Sequence, residues 1–228
     1  MIALALIATL AFAVEGALGF GATVIAATLG AEVVPLAQLV PAFVPINLAL
    51  SAYLAVRGRR AIAWRVVVEL VPPAGLGAAL GIAMFRPGRA LELALAGFVV
   101  ALAALELLRP AARPLATWPR RALLVAAGTA HGLFGTGGPL VVYVAGRRLA
   151  PHALRATLAV LWLALNAALV ASYAQRGLYD RATLRLVVVF AAALPAGVAL
   201  ASRVRVSPRA VWLVLLAAGA LLAARALT

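Results

Sequence analysis

Apolar residues run along this chain for roughly twenty positions at a time, and short polar connections separate the runs. Eight such stretches occur, at 2–29, 34–56, 64–85, 90–108, 121–146, 153–175, 183–202 and 209–227. A helix rises about 1.5 Å per residue and the hydrocarbon core of a bilayer is about 30 Å thick, so about 20 apolar residues make one span. The pattern therefore predicts an all-α polytopic membrane protein of about eight hydrophobic segments. Between them lie Arg, Pro and Gly: 57–60, 86–89, 109–121, 147–155, 176–181 and 203–209. Connections this short leave no extramembrane domain for an enzyme's active site. Ala11-Phe12-Ala13 resembles a signal-peptidase site, but no Lys or Arg precedes the apolar run before it.

The segments repeat. Glu15-Gly16-Ala17-Leu18-Gly19-Phe20-Gly21 has a counterpart in His131-Gly132-Leu133-Phe134-Gly135-Thr136-Gly137, and fourteen residues beyond each lies a Pro, Pro35 and Pro151. Tyr53 and Arg57-Gly58 match Tyr173 and Arg176-Gly177, while Pro73-Ala74-Gly75 matches Pro195-Ala196-Gly197. The chain is thus expected to be two transmembrane repeats of four segments, 1–112 and 117–228. Internal repeats of this kind mark secondary transporters.

Composition agrees with lipid. Of 228 residues, 66% are hydrophobic and 11% charged, with a mean hydropathy of +1.11, whereas a soluble domain carries about 25% charge. Twenty Arg against six acids give +14, a balance that would point to nucleic acid on a soluble protein. Here the Arg fall between apolar runs, with no basic face and no aromatic stacking platform, so no nucleic-acid partner is expected. Cys is absent, which removes disulfides, thiolate chemistry and Cys metal sites.

The Arg serve instead as a topological label. If all eight segments crossed, the two faces would hold 12 and 8 Arg. If the Gly-rich first segment of each half dips in and returns, three crossings per half remain and the count becomes 14 against 6, which satisfies the positive-inside rule better. Three crossings, an odd number, invert the second half relative to the first. The expected architecture is an inverted repeat whose halves each open on a Gly-broken, re-entrant segment.

Those breaks are where chemistry is expected. Gly costs about 1 kcal/mol relative to Ala inside a helix, so Gly16, Gly19 and Gly21, and again Gly132, Gly135, Gly137 and Gly138, should interrupt their helices. A broken helix at membrane depth is tolerated where its freed backbone groups face protein or a watery cavity. The restarted half-helix presents N–H groups and the positive end of its dipole, a ready site for an anion. Thr23, Thr129 and Thr136 offer hydroxyl donors, and Pro139 suits the first turn of a restarted helix. The alternative is close helix packing through small residues.

Glu15 and His131 hold equivalent positions just before the two breaks. Ionisable groups at depth are costly and usually functional, so both are candidates for carrying a coupling proton; a buried hydrogen-bonding or interfacial role is the other option. Asn47 and Asn166 fall in the second segment of each half, with Ser51 one turn after Asn47. They either tie helices together or line a path. Glu69, one turn after Arg65, suits a helix-face ion pair, and Glu106 an interface. Trp64, Trp118 and Trp212 suit the aromatic belt; Trp162 lies deeper and is unexplained by that rule.

Several of these motifs resemble the TauE/SafE-type sulfite exporter family: EGALGFGAT at 15–23, HGLFGTGGPLV at 131–141, RATL at 155–158, Gly177-Leu-Tyr-Asp180, and Gly197 followed by the SRV turn at 202–204. The resemblance spans nearly the whole chain. It implies passage of small anions, especially sulfite and organosulfonates. One departure stands out: the family's sixth segment often places Ser after Thr, where this chain has Thr157-Leu158.

The sequence therefore points to a multi-pass protein of the bacterial inner membrane that transports small anions. The expected substrate-binding set is Gly19, Gly21, Thr23, Asn47, Ser51, Gly135, Thr136, Gly137, Gly138 and Asn166, with Glu15 and His131 as proton-coupling candidates. Expected partners are a small anionic substrate and the lipid bilayer, with room for a homodimer; no catalytic residue, cofactor or metal is expected. A passive channel remains open as an alternative. A membrane-embedded enzyme or assembly factor is the remoter one, since no H-E-x-x-H or G-x-S-x-G set occurs.

Overall fold

The computed structural model describes residues 1–86, 88–108, 116–145, 149–203 and 207–227. Among these, all regular structure is helical: α1 (Ile2–Leu18), α2 (Ala22–Gly30), α3 (Leu36–Arg57), α4 (Trp64–Met84), α5 (Arg89–Leu107), α6 (Thr117–Phe134), α7 (Gly138–Ala145), α8 (Pro151–Gln175), α9 (Arg181–Ala201) and α10 (Pro208–Leu227), with a 3-10 turn at Arg59–Ala61. Six of them, α3, α4, α5, α8, α9 and α10, are long and apolar enough to cross a membrane. The expected seam between the halves, 112–117, lies largely outside the described residues. So do Arg109, Arg113, Arg147, Arg148 and Arg205 of the topological count.

The opening segment of each half is not one helix. α1 ends at Gly19 (φ 87°), and α2 restarts after Gly21 (φ 105°). α6 ends at Gly135 (φ 68°), and α7 restarts at Gly138. Left-handed backbone costs Gly little and an L side chain much, which is why the chain turns where it does. At nine and eight residues, α2 and α7 are roughly 12–14 Å long, less than half the hydrocarbon thickness.

Glycine contacts give the direction of each hairpin. A methyl on Gly16 would meet Ala201 Cβ at 2.8 Å and one on Gly197 would meet Phe12 Cβ at 2.6 Å, so α1 and α9 run parallel. α9 starts just beyond Arg176, whose guanidinium reaches the Ile82 and Phe85 carbonyls at the end of α4. The far end of α2 lies on that same face, where Ala31 and Glu32 accept from Arg225 of α10. The first hairpin therefore enters from this face and returns to it.

α4 and α6 are also parallel. Gly77 and Gly81 of α4 interlock with Gly128 and Gly132 of α6, so closely that a methyl on any of the four would overlap backbone atoms of the partner helix. This is the small-xxx-small packing of membrane helices. α7 leads back from the end of α6 to the opposite face, where Val144 and Ala145 share an apolar cluster with Leu70 and Leu158. The two hairpins thus enter from opposite sides.

Packing between the expected halves is reciprocal: α1 rests on α9, α6 on α4, α3 on α8 and α5 on α10. Around α1, α3 and α9 the core closes through Phe12 stacked on Phe43 at 4.8 Å and Phe43 edge-on to Phe190 at 5.3 Å. Outward faces stay apolar, with Val68 70%, Val188 68% and Leu76 60% exposed, a surface that suits lipid rather than water. Trp64 and Trp118 stand exposed at the starts of α4 and α6, as belt residues should. Trp212 does not: it is buried in the core, and the expectation for it is corrected. Glu69 pairs with Arg120 of α6 at 3.8 Å.

Candidate functional site

The turns of the two hairpins meet. A methyl on Gly138 would lie 2.8 Å from Phe20 Cβ, and one on Gly135 would lie 2.9 Å from Thr23 Cγ2. Between them is a cavity of about 10 Å³ lined by Glu15, Phe20, Gly21, Thr23, Asn47, His131, Gly135, Thr136, Gly137, Gly138 and Trp162. Asn47 and Trp162 stand near the middle of α3 and α8, so the cavity lies at mid-depth of the bundle.

Each hairpin is braced from within its own half. The Ala22 N–H, first of α2, donates to Glu15 Oε2 at 3.0 Å, and Asn47 Nδ2 donates to Thr23 Oγ1 at 3.0 Å. On the other side His131 Nε2 donates to Asn166 Oδ1 at 3.1 Å. Trp162 joins the two: its Nε1 donates to the Gly19 carbonyl at 3.0 Å, and its ring stacks on His131 with centroids 5.5 Å apart and planes 15° from parallel.

What these bonds leave over is more informative. Glu15 Oε1, Asn47 Oδ1, His131 Nδ1 and Asn166 Nδ2 are buried without a partner, on side chains no more than 3% exposed. Buried polar atoms are nearly always paired, and each unpaired one costs about 1–3 kcal/mol. Three of these side chains, Glu15, Asn47 and His131, line the mid-depth cavity, and Asn166 stands behind His131. No group of three or more His, Asp or Glu suited to a metal occurs among the described residues.

Most of the expected site residues come together here. Gly137 lines the cavity and also packs so tightly that a methyl on it would overlap the Ala127 carbonyl. Gly19 and Asn166 act one step back, through the Trp162 bond and the His131 bond. Ser51 is not brought in, because its hydroxyl donates to the Asn47 carbonyl of its own helix at 2.8 Å. Thr129 likewise donates to Val125 within α6. Gly16 and Gly132 serve packing against α9 and α4. Thr157 Oγ1 accepts from the Ala63 N–H at 3.0 Å and so fixes the connection before α4.

Sequence reasoning missed Trp162, Phe20 and Arg155. For Trp162 the signal was its depth in an apolar span, away from either interface. Arg155 was visible only as one member of a basic cluster, yet its Nη1 reaches the Gly16 and Ala17 carbonyls.

Residues 4–226 match the model of the family described as Sulfite exporter TauE/SafE. No curated protein and no solved structure matches the chain.

Proposed function

The chain belongs to the sulfite exporter TauE/SafE family, and on that premise we propose that it carries small oxyanions, sulfite or an organosulfonate foremost, between the tips of its two hairpins. It is a multi-pass membrane protein of a transport family, and the bacterial inner membrane fits that family. The observation that carries the proposal is the convergence of three residues with unpartnered buried polar atoms, Glu15, Asn47 and His131, on one mid-depth cavity. An occupant with several oxygens would satisfy them.

The two hairpins differ in what they offer an anion. At the start of α2 the protein supplies its own carboxylate, since Glu15 accepts from Ala22. At the start of α7 the equivalent residue is His131, and the helix's N–H groups and positive dipole end are not faced by an acid from that position. The substrate's oxygens would settle there, against Thr136 and His131 Nδ1. Because His131 Nε2–H is already given to Asn166, Nδ1 can donate to an anion only by taking up a proton. Proton and anion would then bind together, with Glu15 as the second titratable group of the site.

Room of about 10 Å³ suits about one water and is too small for sulfite's four heavy atoms. The tips must part for a substrate, as alternating access requires. Parallel α1 and α9, parallel α4 and α6, and hairpins entering from opposite faces support an inverted repeat as the device. The test is a thermal-shift panel of sulfite, sulfate, thiosulfate, sulfonates and carboxylates on purified protein, followed by flux in proteoliposomes. Saturable flux accelerated by substrate on the far side is expected. Flux unaffected by far-side substrate would make it a channel, and absence of both shift and flux would overturn the proposal.

A further inference from the structure

A second hollow, of about 1200 Å³, opens on the face where the 3-10 turn, the start of α8 and the end of α9 meet. Its charged lining is Arg57, Arg59, Arg60 and Arg155, with the His152 imidazole beside them and no acidic side chain among the described lining residues. Single-sign walls of low dielectric concentrate counter-ions, so this hollow gathers anions.

Arg155 stands between the hollow and the buried cavity. Its stem packs against the first hairpin's turn, where a methyl on Gly19 would lie 2.8 Å from Arg155 Cγ. Its Nη1 is shared between the Gly16 carbonyl at 3.4 Å and the Ala17 carbonyl at 3.3 Å. These are end carbonyls of α1, at the negative pole of that helix. Both contacts exceed the usual 2.7–3.2 Å of an N–H···O bond. Trp162 and Asn166 follow Arg155 on the same face of α8, seven and eleven residues on, and lead to His131. The opposite face is held more firmly: Arg176 donates to the Ile82 carbonyl at 2.7 Å and the Phe85 carbonyl at 3.2 Å.

We propose that the basic hollow is an outer anion-binding vestibule and that Arg155 is a displaceable gate between it and the buried cavity, an assignment that rests on the anion-transport reading above. A guanidinium bonds an oxyanion bidentately, through two parallel N–H···O bonds between opposite charges, where a carbonyl offers only a dipole. An arriving sulfonate or sulfite therefore draws Arg155 off Gly16 and Ala17, releases the first hairpin's turn and gains the line of α8 residues leading inward. Arg57, Arg59 and Arg60 are the charged groups that face the anion before Arg155 does, with His152 the titratable group among them.

The chain has no Cys, so single-Cys reporters are clean. Ser202→Cys places a thiol in the vestibule and Thr136→Cys one at the cavity. Each is reacted, in detergent, with a sulfonate-bearing methanethiosulfonate and its trimethylammonium analogue, and the rates are divided by those of a free thiol in solution. At Ser202→Cys the anionic reagent should react at least about tenfold faster at low salt, the ratio falling toward one at high salt as the charges are screened. Arg59→Ala with Arg60→Ala should lower that ratio. Thr136→Cys should be nearly inert to the trimethylammonium reagent with Arg155 in place and at least about tenfold faster with Arg155→Ala, whereas the sulfonate-bearing reagent, which can draw Arg155 aside, should react in both. Arg155→Gln, which keeps donors but not charge, should leave it inert to both reagents and supplies the comparison if the Ala variant fails to fold. Equal normalised rates at Ser202→Cys, or cavity labelling indifferent to Arg155, would overturn the gate even in a protein that transports sulfite. Absent sulfite flux with the predicted labelling would overturn the substrate assignment and keep the gate.

Discussion

Trp162 bonds one hairpin and stacks on the other, donating to the Gly19 carbonyl and lying over His131. Trp162→Phe keeps an aromatic ring over the imidazole and deletes the N–H. The Gly19 carbonyl is buried, and stranding a buried acceptor costs about 1–3 kcal/mol. That cost falls on conformations in which the tips meet, so the balance between closed and parted tips shifts by about 5–150-fold. In proteoliposomes, maximal sulfite flux should fall at least about fivefold, and the purified variant should melt at least a few degrees lower. Trp162→Ala, which also removes a stack worth about 0.5–1.5 kcal/mol, should be worse on both measures. A Phe variant with wild-type flux and wild-type melting temperature would refute the role given to the Trp162–Gly19 bond.

Gly21→Leu and Gly137→Leu should each insert normally yet lose flux, one by straining a backbone at φ 105° and the other by overlapping the Ala127 carbonyl; normal flux from either would remove that turn from the site. Glu15→Gln retains an oxygen for the Ala22 N–H but carries no titratable proton, so flux should become flat over the pH range in which the wild type varies; an unaltered pH profile would exclude Glu15 as a proton carrier. Gly77→Ala drives a methyl into the Val125 carbonyl across the α4–α6 seam and should cost about 1–3 kcal/mol or more as overpacking; an unchanged thermal melt would show that the seam yields.

Much of this was legible because glycine and burial act locally. Both helix breaks fall where three Gly occur within seven residues, since no tertiary contact can make a positive φ easy for another residue. Glu15 and His131 stood out because a titratable side chain in an apolar run has few tolerable surroundings. Ser51 lies off the cavity for a reason a linear pattern does not show: a helical Ser can bond its own i−4 carbonyl, and this one does. Trp212 has the sequence environment of a belt residue, and only the packing of α10 against α5 turns it inward. The same limit applies to Gly132, which reads as part of a turn yet belongs to a helix seam with Gly81. Arg155 was counted as a charge because its contacts with Gly16 and Ala17 span almost 140 residues.

Reciprocal packing has a mechanical consequence for the proposed cycle. Each hairpin is built by one half and lies against a long helix of the other, α1 on α9 and α6 on α4. In the proposed cycle, rocking one half would carry its partner's hairpin as well as its own, and the tips would separate toward one face as they close toward the other. α3 and α8, which bring Asn47 and Trp162 to the cavity, pack on each other and would hold its wall at mid-depth while the hairpins move. The two arginines then divide the work by strength of grip: Arg176 with bonds of 2.7 and 3.2 Å on one face, Arg155 with 3.3 and 3.4 Å on the other. Under the proposed cycle, the looser grip lies beside the basic vestibule, so that is the side on which an arriving anion would release the first hairpin.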